Sequence, residues 1–180
     1  MIQGAPPANV QADFPWPLTF EAFSFGVRCY NTLASNIIFD NHQFALDDEI
    51  DGASGQPRSA DWKERWTASY IVMAEDMPPG PVEVRWTPLD GAERYAEIDL
   101  IRDIFPDQRV LHNVPKEDIN EDWARFEGGK TSPPDILMEV NDRTINVYMS
   151  AHVLTKSFPI PGRDDVKSRW DLILAWTKTF

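Results

Sequence analysis

Apolar and polar side chains alternate with period two along most of the chain, a pattern that puts one set on each face of a β-strand. Trp66, Ala68, Tyr70 and Val72 alternate with Thr67, Ser69 and Ile71, and Val82, Val84 and Trp86 alternate with Glu83 and Arg85. Ala96, Ile98 and Leu100 interleave with Glu97 and Asp99 beyond the turn-forming Pro88-Leu89-Asp90-Gly91. A hairpin of Val82–Trp86 with Arg94–Leu100 is therefore predicted. A second hairpin is predicted from Ile136, Met138 and Val140, through Asn141-Asp142, to Ile145, Val147, Met149, Ala151 and Val153. Trp170, Leu172, Leu174 and Trp176 predict a last strand with Asp171 and Thr177 on its other face. The stretch Leu18–Cys29, with Phe20, Phe23, Phe25 and Val27, is apolar on both faces, as a central sandwich strand would be. Ile37-Ile38-Phe39, with Phe44 and Leu46 beyond, predicts two further short strands.

Only Lys116–Glu127 has helical spacing. Ile119, Trp123 and Phe126 fall at i, i+4 and i+7, acidic residues load the first turn, and Gly128-Gly129 can end it. A shorter turn is expected over Ile101–Phe105. Fifteen prolines suit many connections between strands and are incompatible with a helical bundle. The expected fold is mainly β, a β-sandwich-like and mostly antiparallel structure with one or two short helices. Residues 1–17, with Pro6, Pro7, Pro15 and Pro17, read as a flexible Pro-rich segment, and residues 18–180 as a single β-rich domain. A chain of 180 residues is long enough for one core that buries about 70% of its unfolded surface. The stretch Asp47–Ala60, polar and rich in Gly, Ser and acid, is expected to be the least ordered after the N-terminus.

Charge narrows the function classes. Seventeen Lys and Arg against 29 Asp and Glu give a net charge of -12, which repels a phosphate backbone and an anionic membrane and favours a basic partner. No nucleic-acid partner is expected. No apolar run is long enough for an integral membrane span, and the first residues lack both the positive and the apolar region of an export signal. The single cysteine, Cys29, excludes an internal disulfide, and three scattered histidines make a zinc site improbable.

Candidate chemistry is sparse. Asp47-Asp48-Glu49-Ile50-Asp51-Gly52 opens like a calcium loop, but Arg58 stands where the bidentate Glu should be and no helix follows. Asp47, Asp48, Glu49 and Asp51 are instead candidate contacts for a basic protein partner, since carboxylates on a loop can steer and then pair with a cationic surface. No Gly-x-Ser-x-Gly elbow or glycine-rich phosphate loop exists, and His42, His112 and His152 lack local partners. Carboxylate pairs can be drawn from Glu97, Asp99 and Glu139, but spacing alone fixes no distance between them. Seven Trp and ten Phe are many for this length; a sandwich core takes most of them, and any surplus is left for the surface. Trp62 lies four residues before Trp66, shares its face if both are in a strand, and is a further candidate for partner binding.

The segment Val82-Glu83-Val84-Arg85-Trp86-Thr87-Pro88-Leu89, followed by Arg94-Tyr95-Ala96-Glu97-Ile98-Asp99-Leu100, Ile101–Phe105 and the hairpin at Ile145–Val153, resembles a family of β-rich bacterial proteins encoded near type VI secretion genes. Phe25-Gly26-Val27-Arg28-Cys29-Tyr30-Asn31-Thr32 is similar to the opening strand of such proteins. Some of them are immunity proteins that neutralise an antibacterial lipase or other toxin effector. The resemblance implies a non-enzymatic protein without cofactors that binds a cognate effector and occludes its active site. It also implies a periplasmic location, with a lipid anchor if a signal peptide has been removed and a cytoplasmic one if the sequence is full length. A module for a small lipid or carbohydrate ligand is the alternative, using a cleft lined by Trp residues. A hydrolase assembled from dispersed residues is the third class.

Overall fold

The alternating segments pair into two sheets that bury their apolar faces against each other. The computed structural model describes residues 14–47 and 52–180. The strands are β1 (Phe23–Tyr30), β2 (Thr32–Phe39), β3 (His42–Asp47), β4 (Tyr70–Val72), β5 (Val82–Pro88), β6 (Arg94–Ile98), β7 (Asp135–Asn141), β8 (Thr144–Leu154) and β9 (Ser168–Thr179). One sheet has the order β4-β1-β7-β8-β9 and the other β3-β2-β5-β6. The protein is thus mainly β, and every pair of strands is antiparallel except β1 with β7. Phe23, Phe25, Ile136, Met138 and Val147 of the larger sheet meet Ile37, Phe39, Val84, Trp86 and Ile98 of the smaller in one continuous core.

Both predicted hairpins form. The β5–β6 turn closes with the Gly91 amide donating to the Pro88 carbonyl at 3.0 Å, and Gly91 adopts φ 76°, which a residue without Cβ takes without strain. Asp142 takes the left-handed conformation in the β7–β8 turn, φ 51°. The short turn after β6 spans Leu100–Ile104, with the Asp99 side chain accepting from the Arg102 amide at 2.8 Å. Phe14, 4% exposed, belongs to the core together with Leu18.

Three local expectations are corrected. The helix does not run from Lys116: a 3-10 turn covers Lys116–Asp118, Ile119 is extended and bridges Thr155, and the α-helix α1 is confined to Glu121–Phe126. Asn120 caps it, accepting from the Trp123 amide at 3.0 Å. Ile119 is fully buried while Phe126 is 88% exposed, so the apparent stripe is not one face. The strand expected from Trp66 begins only at Tyr70, because Trp66 and Ala68 pack on the outside of the larger sheet while Tyr70 and Val72 pack into the core. The chain crosses the sheet edge between them. In β9, a bulge opposite Val147 and Tyr148 breaks the alternation, so Trp176 packs against the core while Leu172 packs on the outer face.

Candidate binding face

The outer face of the five-stranded sheet is divided into a covered half and an open half. Residues 62–68 cover the first. Trp62–Arg65 form a 3-10 turn, and the following residues lie against β1 at Gly26, where an added Cβ would come within 3.1 Å of the Ala68 Cα and 3.2 Å of the Leu137 Cδ2. Glycine here admits the close approach of a second backbone. Ala68 donates its amide to Asp135 at 3.3 Å, and burial pushes that carboxyl above its ordinary range. Trp66 is buried against Leu137 and Tyr148, with Trp62, Ala68 and Leu172 around it, as a small second core outside the sandwich.

Beneath this cover lies a buried acid. Glu139, 3% exposed, points from the apolar strand β7 toward the outer face. Its Oε2 accepts from the Tyr148 hydroxyl at 2.9 Å and from Asn146 Nδ2 at 3.2 Å, and its Oε1 accepts from Asn141 Nδ2 at 3.0 Å. The Lys63 ammonium donates to the Tyr148 oxygen at 2.7 Å and stands 3.9 Å from the carboxylate. Burial, and next the bond to Glu139, raises the Tyr148 pKa, so the phenol stays protonated and remains a donor. The network continues outward through Asn31 to Asn141 at 2.7 Å and Thr177 to Asn146 at 2.7 Å. Such complete satisfaction holds the lysine-bearing turn in one place.

The open half belongs to β8 and β9. Trp170 is 64% exposed and stacks on His152 with ring centroids 3.9 Å apart and planes 15° from parallel, and Leu174, farther along the same face of β9 beyond Leu172, is 49% exposed. Burial lowers the His152 pKa, so the imidazole is neutral and its ring face packs as an aromatic surface.

Among the predicted contact residues, Trp62 reaches this face, packing edge-on against Tyr30 at 4.8 Å and tilted by 34° against Trp66 at 5.2 Å. Trp62 and Trp66 do meet, through a 3-10 turn instead of a shared strand face. Asp47 ends β3 in the other sheet, and Asp48, Glu49 and Asp51 lie outside the described residues. Glu97 and Asp99 flank the end of β6 in the smaller sheet, so Glu139, in the other sheet, is not assembled into a carboxylate pair with them. Among the described residues, no group of three or more His, Cys, Asp or Glu is arranged to hold a metal ion. No helix among them is long and apolar enough to cross a membrane. The sequence offered Glu139 only as half of a carboxylate pair and Trp170 only as a strand residue; an acid inside Ile136–Val140 is the signal that marks the Glu139 network. No family model matches the chain, and no curated protein or solved structure matches it.

Proposed function

We propose that the chain is a non-enzymatic binding protein of the immunity type, which captures an antibacterial effector enzyme and occludes its active site. The exposed, imidazole-stacked Trp170 on an otherwise ordered sheet carries the proposal. A large indole held in place loses little side-chain entropy on docking, and burying it in a partner's cleft yields the concentrated stabilisation typical of interface hot spots. Leu174 adds apolar surface on the same face, and the satisfied Glu139 network, in the covered half of that face, offers no reactive group. The net charge of -12 accelerates encounter with a cationic effector, while Trp170 sets how slowly the complex dissociates.

The test is affinity capture of the partner from the native host, co-expression with the captured protein, and inhibition of that protein once purified. Rescue of growth and stoichiometric inhibition are expected. Trp170→Ala should weaken binding about 30-fold, the equivalent of a hot spot of about 2 kcal/mol. Unimpaired inhibition by the Trp170→Ala, Leu174→Asp double variant would remove this face from the interface, and absence of any rescue would remove the immunity reading.

A second reading has its own observation. The edges β6 and β9 leave a groove of about 440 Å³ lined by Tyr95, Ala96, Ile98, Trp176 and Phe180, with Glu97, Asp103 and Lys178 at its mouth. It suits a small ligand with an apolar body. A saturable change in Trp176 emission on adding a lipid or sugar, absent in Trp176→Phe, would favour it.

A further inference from the structure

Three arginines converge on one concavity in a chain with 29 acidic and 17 basic residues. The hollow, about 330 Å³, is lined by Arg28, Arg58, Arg65, Tyr30, Ser59 and Trp62, and among the described residues no carboxylate lines it. Each arginine arrives by a different route. Arg28 stands on the outer face of β1, its guanidinium carbon 5.9 Å from the Trp62 ring centroid and 5.5 Å from that of Trp66. Arg58 follows a segment pinned to the β1–β2 turn, where Ser54 and Thr32 exchange backbone and side-chain hydrogen bonds at 2.7–3.0 Å. Arg65 leaves the 3-10 turn, bonded to Asp61 at 2.8 Å.

The nearby carboxylates do not neutralise this group. Glu139 is in register with Arg28 across β1 and β7, but its oxygens are taken by Tyr148, Asn141 and Asn146, with Lys63 the cation beside it. Asp61 answers Arg65 alone. Among the described residues, Arg28, Arg58, Arg65 and Lys63 stand against Asp61, Glu64 and Glu139, none of which lines the hollow, so the hollow is locally cationic. A guanidinium lying over an indole still directs its in-plane N–H groups outward, where they can grip an oxoanion by two parallel bonds.

We propose that this concavity recognises a carboxylate-bearing peptide segment, with the carboxylates on Arg28, Arg58 and Arg65 and a neighbouring aromatic side chain on Tyr30 and Trp62. The overall charge selects against an extended polyanion such as nucleic acid. Screening over about 8–10 Å leaves a short acidic segment governed by the local cations. The site stands apart from the Trp170 patch and needs no effector to be tested.

The experiment is an NMR titration of the full chain with the peptide acetyl-Asp-Glu-Phe-Glu-Asp-amide, its neutral Asn/Gln counterpart, and inorganic phosphate, at low and high salt. The acidic peptide is expected to move the Trp62 indole and Arg28 Nε–H resonances saturably, more weakly at high salt, and to leave the Trp170 indole in place. Arg58→Gln and Arg65→Gln, both at exposed positions, should each weaken binding about tenfold through loss of a charge-assisted bond. Arg28 is left intact because its stacking supports the tryptophans. Absence of a saturable shift, equal binding of the neutral peptide, or undiminished binding by the Arg58→Gln, Arg65→Gln double variant would overturn the proposal. Binding of phosphate at least as tight as that of the peptide would overturn it too, by making this a simple-anion site.

Discussion

Tyr148→Phe removes one oxygen from the buried network and leaves the ring packed against Trp66. Two bonds are lost, the donation to Glu139 at 2.9 Å and the acceptance from Lys63 at 2.7 Å. They do not count equally. The Lys63 side chain is 40% exposed and can turn to water, whereas that of Glu139 is 4% exposed and cannot replace a lost donor. Losing a hydrogen bond to a buried charge costs about 1.5–3 kcal/mol, so about 2 kcal/mol is expected for the variant. For a domain of this size that lowers Tm by about 4–8 °C. Urea unfolding followed by far-UV circular dichroism measures it without interference from the rearranged tryptophans, and the m-value should be unchanged. Adding Glu139→Gln, which removes the charge needing the donor, should recover part of the loss, and the non-additivity reports the coupling. A Tyr148→Phe variant within about 0.5 kcal/mol of the parent, the range of an ordinary surface change, would refute the claim that the network holds the covering turn.

High pH reads the same hydroxyl. The Tyr148 pKa is raised above its ordinary 10.0, so the unfolded phenol releases its proton first and stability falls as pH rises beyond that value; the Tyr148→Phe variant should show a shallower fall in alkaline unfolding titrations. Gly26→Ala should cost about 1–3 kcal/mol, because the Ala68 backbone must shift, and should expose residues 52–69 to limited proteolysis; resistance equal to that of the parent would show that the contact is not tight. Burial lowers the His152 pKa below 6.5, so acidification below that value protonates the unfolded state first and destabilises the fold; Trp170 emission should then be quenched by the stacked imidazolium at a midpoint under 6.5, and a midpoint at or above it would contradict the burial. Ile119→Ala should cost about 2–5 kcal/mol, whereas Phe126→Ser should change stability by less than about 0.5 kcal/mol, a contrast in denaturation midpoints that a single helix face spanning both residues would not produce.

The hairpins β5–β6 and β7–β8 were legible in the sequence because everything that defines them is local. Their alternation, turn residues and partner strands lie within a few residues of one another, so no distant contact can change their pairing without burying charge. The mainly β class follows from the same local repetition. Apparent regularity misled where one side chain could serve two environments. Trp66 and Tyr70 are both large, aromatic and in phase, yet one packs outside the larger sheet and the other inside it. Ile119 and Phe126 share helical spacing, yet only Ile119 is claimed by the core.

The candidate face was decided in three dimensions. The sequence alone offered Trp62 as a candidate contact and Glu139 as one carboxylate among several. It could not bring Arg28 beneath Trp62, place Lys63 over Tyr148, or turn Trp176 inward while Trp170 stays exposed. Those arrangements depend on the parallel pairing of β1 with β7, on a one-residue bulge in β9, and on a segment crossing a sheet edge. Period-two alternation says that a strand has two faces; only the packing of the second sheet against one of them decides which face is core and which stays outside.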